Sequence, residues 1–157
     1  MDAGDEMSTD PSARPLHPNG PWDLPIEGFE VSSLVFAYPI DIVAYGDGGV
    51  STRIRFQGAF DFAQPRRRIR HLGAGDAKWP EFAVLFVLRF DRIARASATE
   101  DDAQLQIDFA SGRVLTAGPD PHYENWEVTG PGFQLISLPG GGVAHFTPTE
   151  QRRIEPS

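Results

Sequence analysis

Cysteine is absent from this sequence, which excludes disulfides, thiolate-ligated zinc, iron–sulfur clusters and a cysteine nucleophile. No apolar run approaches the ~18 residues that a membrane-crossing helix needs. The N-terminal residues are acidic, and no apolar segment of a secretory signal follows them. The G-x-S-x-G, HExxH, P-loop and dinucleotide-binding glycine patterns are all missing. Basic residues are in the minority: Lys plus Arg number 14 against 22 Asp plus Glu, a formal net charge of −8. That balance argues against nucleic acid as a partner, because a phosphate backbone requires a neutralising basic face. The lack of cysteine favours a reducing compartment, and a cytoplasmic location is expected.

What remains is β-forming sequence punctuated by turns. The 157 residues include 16 Gly, 14 Pro, 11 Phe and 3 Trp, enough apolar bulk for a single core. Residues 1–21 hold only scattered large apolar side chains and are expected to be a disordered tail. Residues 22–147 are expected to form one β-rich domain, and 148–157 a frayed end. The net charge divides as −3 over residues 1–21, 0 over 22–72 and −5 over 73–157.

Strands are expected from Val31 to Tyr38 and around Ile40–Tyr45, the latter ending in Gly46-Asp47-Gly48-Gly49. Ser51 to Phe56 alternates polar and apolar residues, and Phe60 and Phe62 continue the alternation. Residues 64–78 read as loop. Pro80 and Glu81 open a short helix over about 80–88, with Phe82, Leu85, Phe86 and Arg89 at 3.6-residue spacing. Further strands are expected at Ile93–Thr99, Leu105–Phe109, Val114–Leu115, Trp126–Thr129, Phe133–Leu138 and Val143–Phe146, with Ser111-Gly112 as a hairpin turn. An internal echo relates Ile26, Gly28, Val31 and Leu34 to Leu88, Phe90, Ile93 and Ala96 at an offset of 62. It relates Val43, Tyr45, Gly48 and Val50 to Ile107, Phe109, Gly112 and Val114 at 64. The expected fold is therefore mainly β: an antiparallel sheet or sandwich built from two repeated meanders, with one short helix.

The densest chemistry lies in Pro119-Asp120-Pro121-His122-Tyr123-Glu124-Asn125-Trp126-Glu127. One reading makes it a ligand or catalytic loop, with Glu124 as general base and His122 as its partner. The other makes Tyr123 and Trp126 core anchors whose polar tips bond to backbone, and is preferred. The histidines are His17, His71, His122 and His145; a zinc site from His122, His145, Asp120 and Glu124 has no spacing signature, so no metal and no cofactor are expected. The glycines at 140–142 read as a turn. Arg66, Arg67, Arg68 and Arg70 read as a solvated loop. Glu100, Asp101, Asp102, Asp108, Asp120, Glu124 and Glu127 lie in the C-terminal hairpins, and several on one face would steer a basic partner.

Residues from about Ile93 to Phe146 carry three linked features. These are Leu105-x-Ile107-x-Phe109-Ala110-Ser111-Gly112-Arg113-x-Leu115, Tyr123-Glu124-Asn125-Trp126, and Pro139-Gly140-Gly141. In these the chain resembles an uncharacterised family of small bacterial domains that is similar to the immunity proteins of polymorphic-toxin loci. The resemblance implies a protein that neutralises a cognate toxin, and it supplies no catalytic residues. Asn125 departs from it, standing where Ala or Ser is more usual. The expected function is accordingly occlusion of a toxin with a basic surface, through Glu100, Asp101, Asp102, Asp120 and Glu124. Two alternatives stand beside it. One is a small enzyme or ligand-binding domain built on His122, Tyr123, Glu124, Trp126 and His145. The other is a structural accessory domain marked by an exposed apolar patch.

Overall fold

The computed structural model describes residues 16, 20–37, 39–73 and 79–147. Most of the expected tail and frayed end lies outside them, as does Tyr38. Twelve strands are formed among the described residues: β1 (Trp22–Asp23), β2 (Glu30–Phe36), β3 (Ile40–Tyr45), β4 (Ser51–Phe56), β5 (Phe60–Ala63), β6 (Arg70–Leu72), β7 (Ile93–Ala98), β8 (Leu105–Phe109), β9 (Val114–Ala117), β10 (Trp126–Gly130), β11 (Phe133–Ser137) and β12 (Val143–Phe146). One antiparallel sheet runs β1-β7-β8-β9-β5-β6 and the other β12-β11-β10-β4-β3-β2. Inward side chains alternate along most strands and meet in one core, including Ile42, Ile54, Val128 and Leu135 from the second sheet and Ile107, Leu115 and Phe62 from the first. The mainly β, two-sheet architecture is thus the observed one.

The sheets are interleaved. Strands β2–β4 form a meander in the second sheet, after which the chain crosses at Gln57–Ala59 and places β5 and β6 beside β9 in the first. Strands β7–β9 form the matching meander in the first sheet, after which the chain crosses back and places β10 and β11 beside β4. The alternation seen from Ser51 to Phe62 therefore spans two strands in different sheets.

Equivalent positions can be read from the pairing. β2 has a register shift between Val31 and Ser33, and β7 has one between Ile93 and Arg95, each 62 positions on. Main-chain bonds around this point are reciprocal. Gly28 N–H donates to Ile93 O (2.7 Å) and Phe90 N–H to Val31 O (2.8 Å); Val31 N–H donates to Asp91 O and Ile93 N–H to Phe29 O, both 2.8 Å. Beyond the first turn the echo needs correction. Ile42 pairs with Ile54, and Ile107 with Leu115, so Ile42, not Val43, is the counterpart of Ile107. A one-residue slip would turn the inward face of the strand outward, which is why pairing decides the register.

Two further expectations change. The stretch read as loop over 64–78 contains β6, because Leu72 pairs with Phe60 and is 2% exposed. The expected helix divides into α1 (Trp79–Phe82) and a 3-10 segment, Ala83–Leu88. Phe82, Leu85 and Leu88 are all buried, and their three-residue period matches 3-10 geometry and turns Phe86 outward.

Candidate functional site

Antiparallel pairing brings the turn after β7, the crossing before β10 and the turn after β11 to one end of the sandwich. Glu100, Asp101 and Asp102 lie on the first of these, and Asp120, His122, Tyr123 and Glu124 on the second. The Pro139–Gly142 turn joins them. Gly140 N–H donates to Asp120 O at 2.8 Å, and a Cβ placed on Gly141 would lie 3.3 Å from Asp101 O. The five carboxylates share this end with no Lys or Arg in the turns named, and none has an ion-pair partner among the described residues. A shallow cavity of about 420 Å³ is lined by Gly20, Pro21, Thr99, Glu100, Asp101 and Asp102. Asp108 and Glu127 do not join this group: Asp108 accepts from Gln106, and Glu127 from Gln134, on the outer faces of the two sheets.

The acidic turns are braced from within. Glu100 Oε1 accepts Gly20 N–H at 3.3 Å, Asp102 accepts the Thr99 hydroxyl, and Asp120 Oδ1 accepts His122 N–H at 2.8 Å, a local turn bond. Asn125 is buried. Its Nδ2 donates to Ala59 O at 2.7 Å and Gly118 O at 2.9 Å, and its own N–H reaches Ser137 Oγ. It thereby ties both sheet crossings together. Gly58 lies against it: a Cβ there would stand 2.7 Å from Asn125 Oδ1 and 2.8 Å from the Tyr123 hydroxyl. Neither role is legible in the local sequence, since Ala59 lies 66 residues from Asn125 along the chain, with Gly58 next to it.

The members of the alternative ligand site separate. Trp126 is buried in the core, with Nε1 donating to Ala103 O at 2.9 Å. His122, Tyr123 and Glu124 are exposed on the crossing. His145 sits on β12 with its ring 6.1 Å from that of Trp22. Among the described residues no group of three or more His, Asp or Glu side chains is placed to hold a metal ion. No described helix is long and apolar enough to cross a membrane.

The opposite end has the opposite charge. Its turns carry Arg66, Arg67, Arg68, Arg89, Arg92 and Arg113 against Glu27, Asp47 and Asp91. Arg113 links three of these segments, donating through Nε to Gln64 Oε1 (3.2 Å) and through Nη1 to Asp91 Oδ2 (3.3 Å), while Asp91 also accepts the Ser111 hydroxyl. Charge thus divides between the two ends of the sandwich more sharply than between the two halves of the sequence.

Compared with known proteins, the chain matches a family of unknown function, DUF6188, over residues 22–147, and it belongs to that family. No curated protein and no solved structure matches it.

Proposed function

We propose that this member of the family is a binding protein whose acidic end occludes the active site of a cognate toxin carrying a basic surface, in the cytoplasm. The observation that supports this reading is the gathering of Glu100, Asp101, Asp102, Asp120 and Glu124 at one end with no Lys or Arg in the turns that carry them. Such a field raises the encounter rate with a basic protein and holds it in register. Tyr123 and Leu138, 43% and 37% exposed, supply apolar contact beside the carboxylates. Asn125 below them pre-organises the crossing, which reduces the ordering cost of association.

The test is co-expression with the product of the neighbouring open reading frame, scoring growth rescue and complex formation together. Rescue with a stable complex is expected. Asp101→Ala or Glu124→Ala, which disturb no internal bond, should speed dissociation; truncation of a buried interfacial charge costs about 2–5 kcal/mol. Absence of any complex removes the support for this reading. Rescue without a complex favours the second reading, a catalytic or ligand-binding centre on the exposed His122, Tyr123 and Glu124.

A further inference from the structure

Phe90 has a left-handed backbone, φ 74°, which is costly for an aromatic residue. Its counterpart in the first repeat is Gly28, φ 89°, and the reciprocal hydrogen bonds show why both positions need that conformation. The Phe90 ring is 65% exposed, so burial does not offset the strain. The Arg89 guanidinium lies 4.8 Å from its ring centroid, whereas the Phe86 ring turns away and packs edge-on against Phe36, 4.9 Å between centroids. Phe90 shares this end with the arginines described above. Arg66, Arg67, Arg68 and Arg89 have no ion-pair partner among the described residues.

We propose that this end docks onto the acidic end of a second copy of the chain. Each surface has what the other lacks: the exposed Phe90 ring among arginines, and Tyr123 and Leu138 beside five carboxylates. The two ends of one molecule are separated by strands roughly 17–20 Å long, beyond the ~10 Å over which charge acts at about 0.1 M salt. They cannot neutralise each other within a monomer, whereas two copies can meet end to end. The contact is heterologous: it leaves a free end of each kind and propagates as a chain. It uses the charge of the acidic end but not the toxin reading, and a bound toxin would compete for that end.

Sedimentation velocity on the full chain tests this. The wild type is expected to associate with rising concentration at about 0.1 M salt and to dissociate at about 1 M, where screening falls to ~3 Å. Phe90→Gly combined with Arg89→Glu, and separately Asp101→Lys combined with Glu124→Lys, should each be monomeric. An equimolar mixture of the two should form a one-to-one dimer through the intact end of each. Phe90→Gly alone should weaken association about tenfold or more, the loss expected of a central anchor. It should also melt no lower than wild type and leave toxin binding undiminished, since the competing contact is weakened. A wild type that stays monomeric at low salt, a mixture that stays monomeric, or either double variant self-associating like wild type overturns the proposal. A lower melting temperature for Phe90→Gly would instead assign the ring to the fold and overturn its role as anchor.

Discussion

In the first repeat three residues, Gln57–Ala59, carry the chain from one sheet to the other; in the second the corresponding crossing takes eight, Gly118–Asn125. The arms leading into the repeats differ as well. Trp22–Asp23 pairs with β7 as a strand, while the segment before β7 is helical and lies against β2. What the repeats share is the meander, the β-bulge and the exchange of a hairpin. These features bury the core and satisfy the backbone. Where they differ, exposed side chains stand beside buried ones: His122, Tyr123 and Glu124, with Asp120 part-exposed, on the longer crossing, and Phe86, Val87 and Phe90 on the helical arm. Exposed loop positions are where departure from the common pattern costs the scaffold least.

The largest break in this comparison should come from Asn125→Ala. The equivalent residue in the first repeat is Ala59, so the change makes the crossings alike in chemistry but not in length. It removes both donors to Ala59 O and Gly118 O and leaves these acceptors without their partner. With about 0.5–1.5 kcal/mol for each lost bond and more for a buried acceptor left unpaired, a loss of about 2–4 kcal/mol is expected. Urea unfolding would measure it, and amide exchange should accelerate first over residues 118–124.

This residue also marks where the sequence becomes hard to read. Leu105, Ile107 and Phe109 alternate with polar neighbours, and Ser111-Gly112 closes the hairpin, so β8 and β9 are legible from local pattern. Asn125 bonds 66 residues back to Ala59, and no local pattern encodes that distance. Strand β6 was hidden because its single buried side chain, Leu72, follows the run of arginines. The acidic end was partly legible, since its carboxylates lie on neighbouring hairpins. The basic end was not. Arg66–Arg68 reads as a solvated loop until β5 and β9 pair and bring Arg113, and through Asp91 the Arg89–Arg92 segment, beside it.

A smaller difference lies on the outer faces of the sheets. Asp41, Arg55 and Glu127 stand across adjacent strands of the second sheet, where the first sheet carries Gln106, Thr116 and Asp61. Arg55 donates to both Asp41 oxygens, at 2.8 and 3.0 Å, and this bond raises its pKa above the ordinary guanidinium value against the opposing effect of burial. A raised folded pKa contributes stability that is complete below the unfolded value and fades only as pH rises through the folded one. For an arginine that window is strongly alkaline. Arg55→Gln should therefore cost about 1–3 kcal/mol, the range for a hydrogen bond to a charged group, with part-exposure favouring the lower end. The difference from wild type should stay flat from about pH 6 to 9. A deficit that grows or shrinks across that interval would show that another titrating group controls the pair.

The finest comparison is between Gly28 and Phe90, one backbone conformation held by two side chains. Nothing lies within 4 Å of a Cβ built on Gly28, so Gly28→Ala tests left-handed strain without a steric clash. It should destabilise the fold by about 1–2 kcal/mol, the cost of a β-carbon in that region. Phe90→Gly removes the same penalty but adds the conformational entropy of glycine to the unfolded chain, which is worth about 0.5–1 kcal/mol. The expected net is a gain of about 0.5 kcal/mol, read as a small rise in melting temperature. If both substitutions were destabilising to the same degree, the Phe90 ring would be contributing packing that its exposure denies. Opposite signs would mean that the second repeat tolerates a strained residue for a purpose outside its own stability.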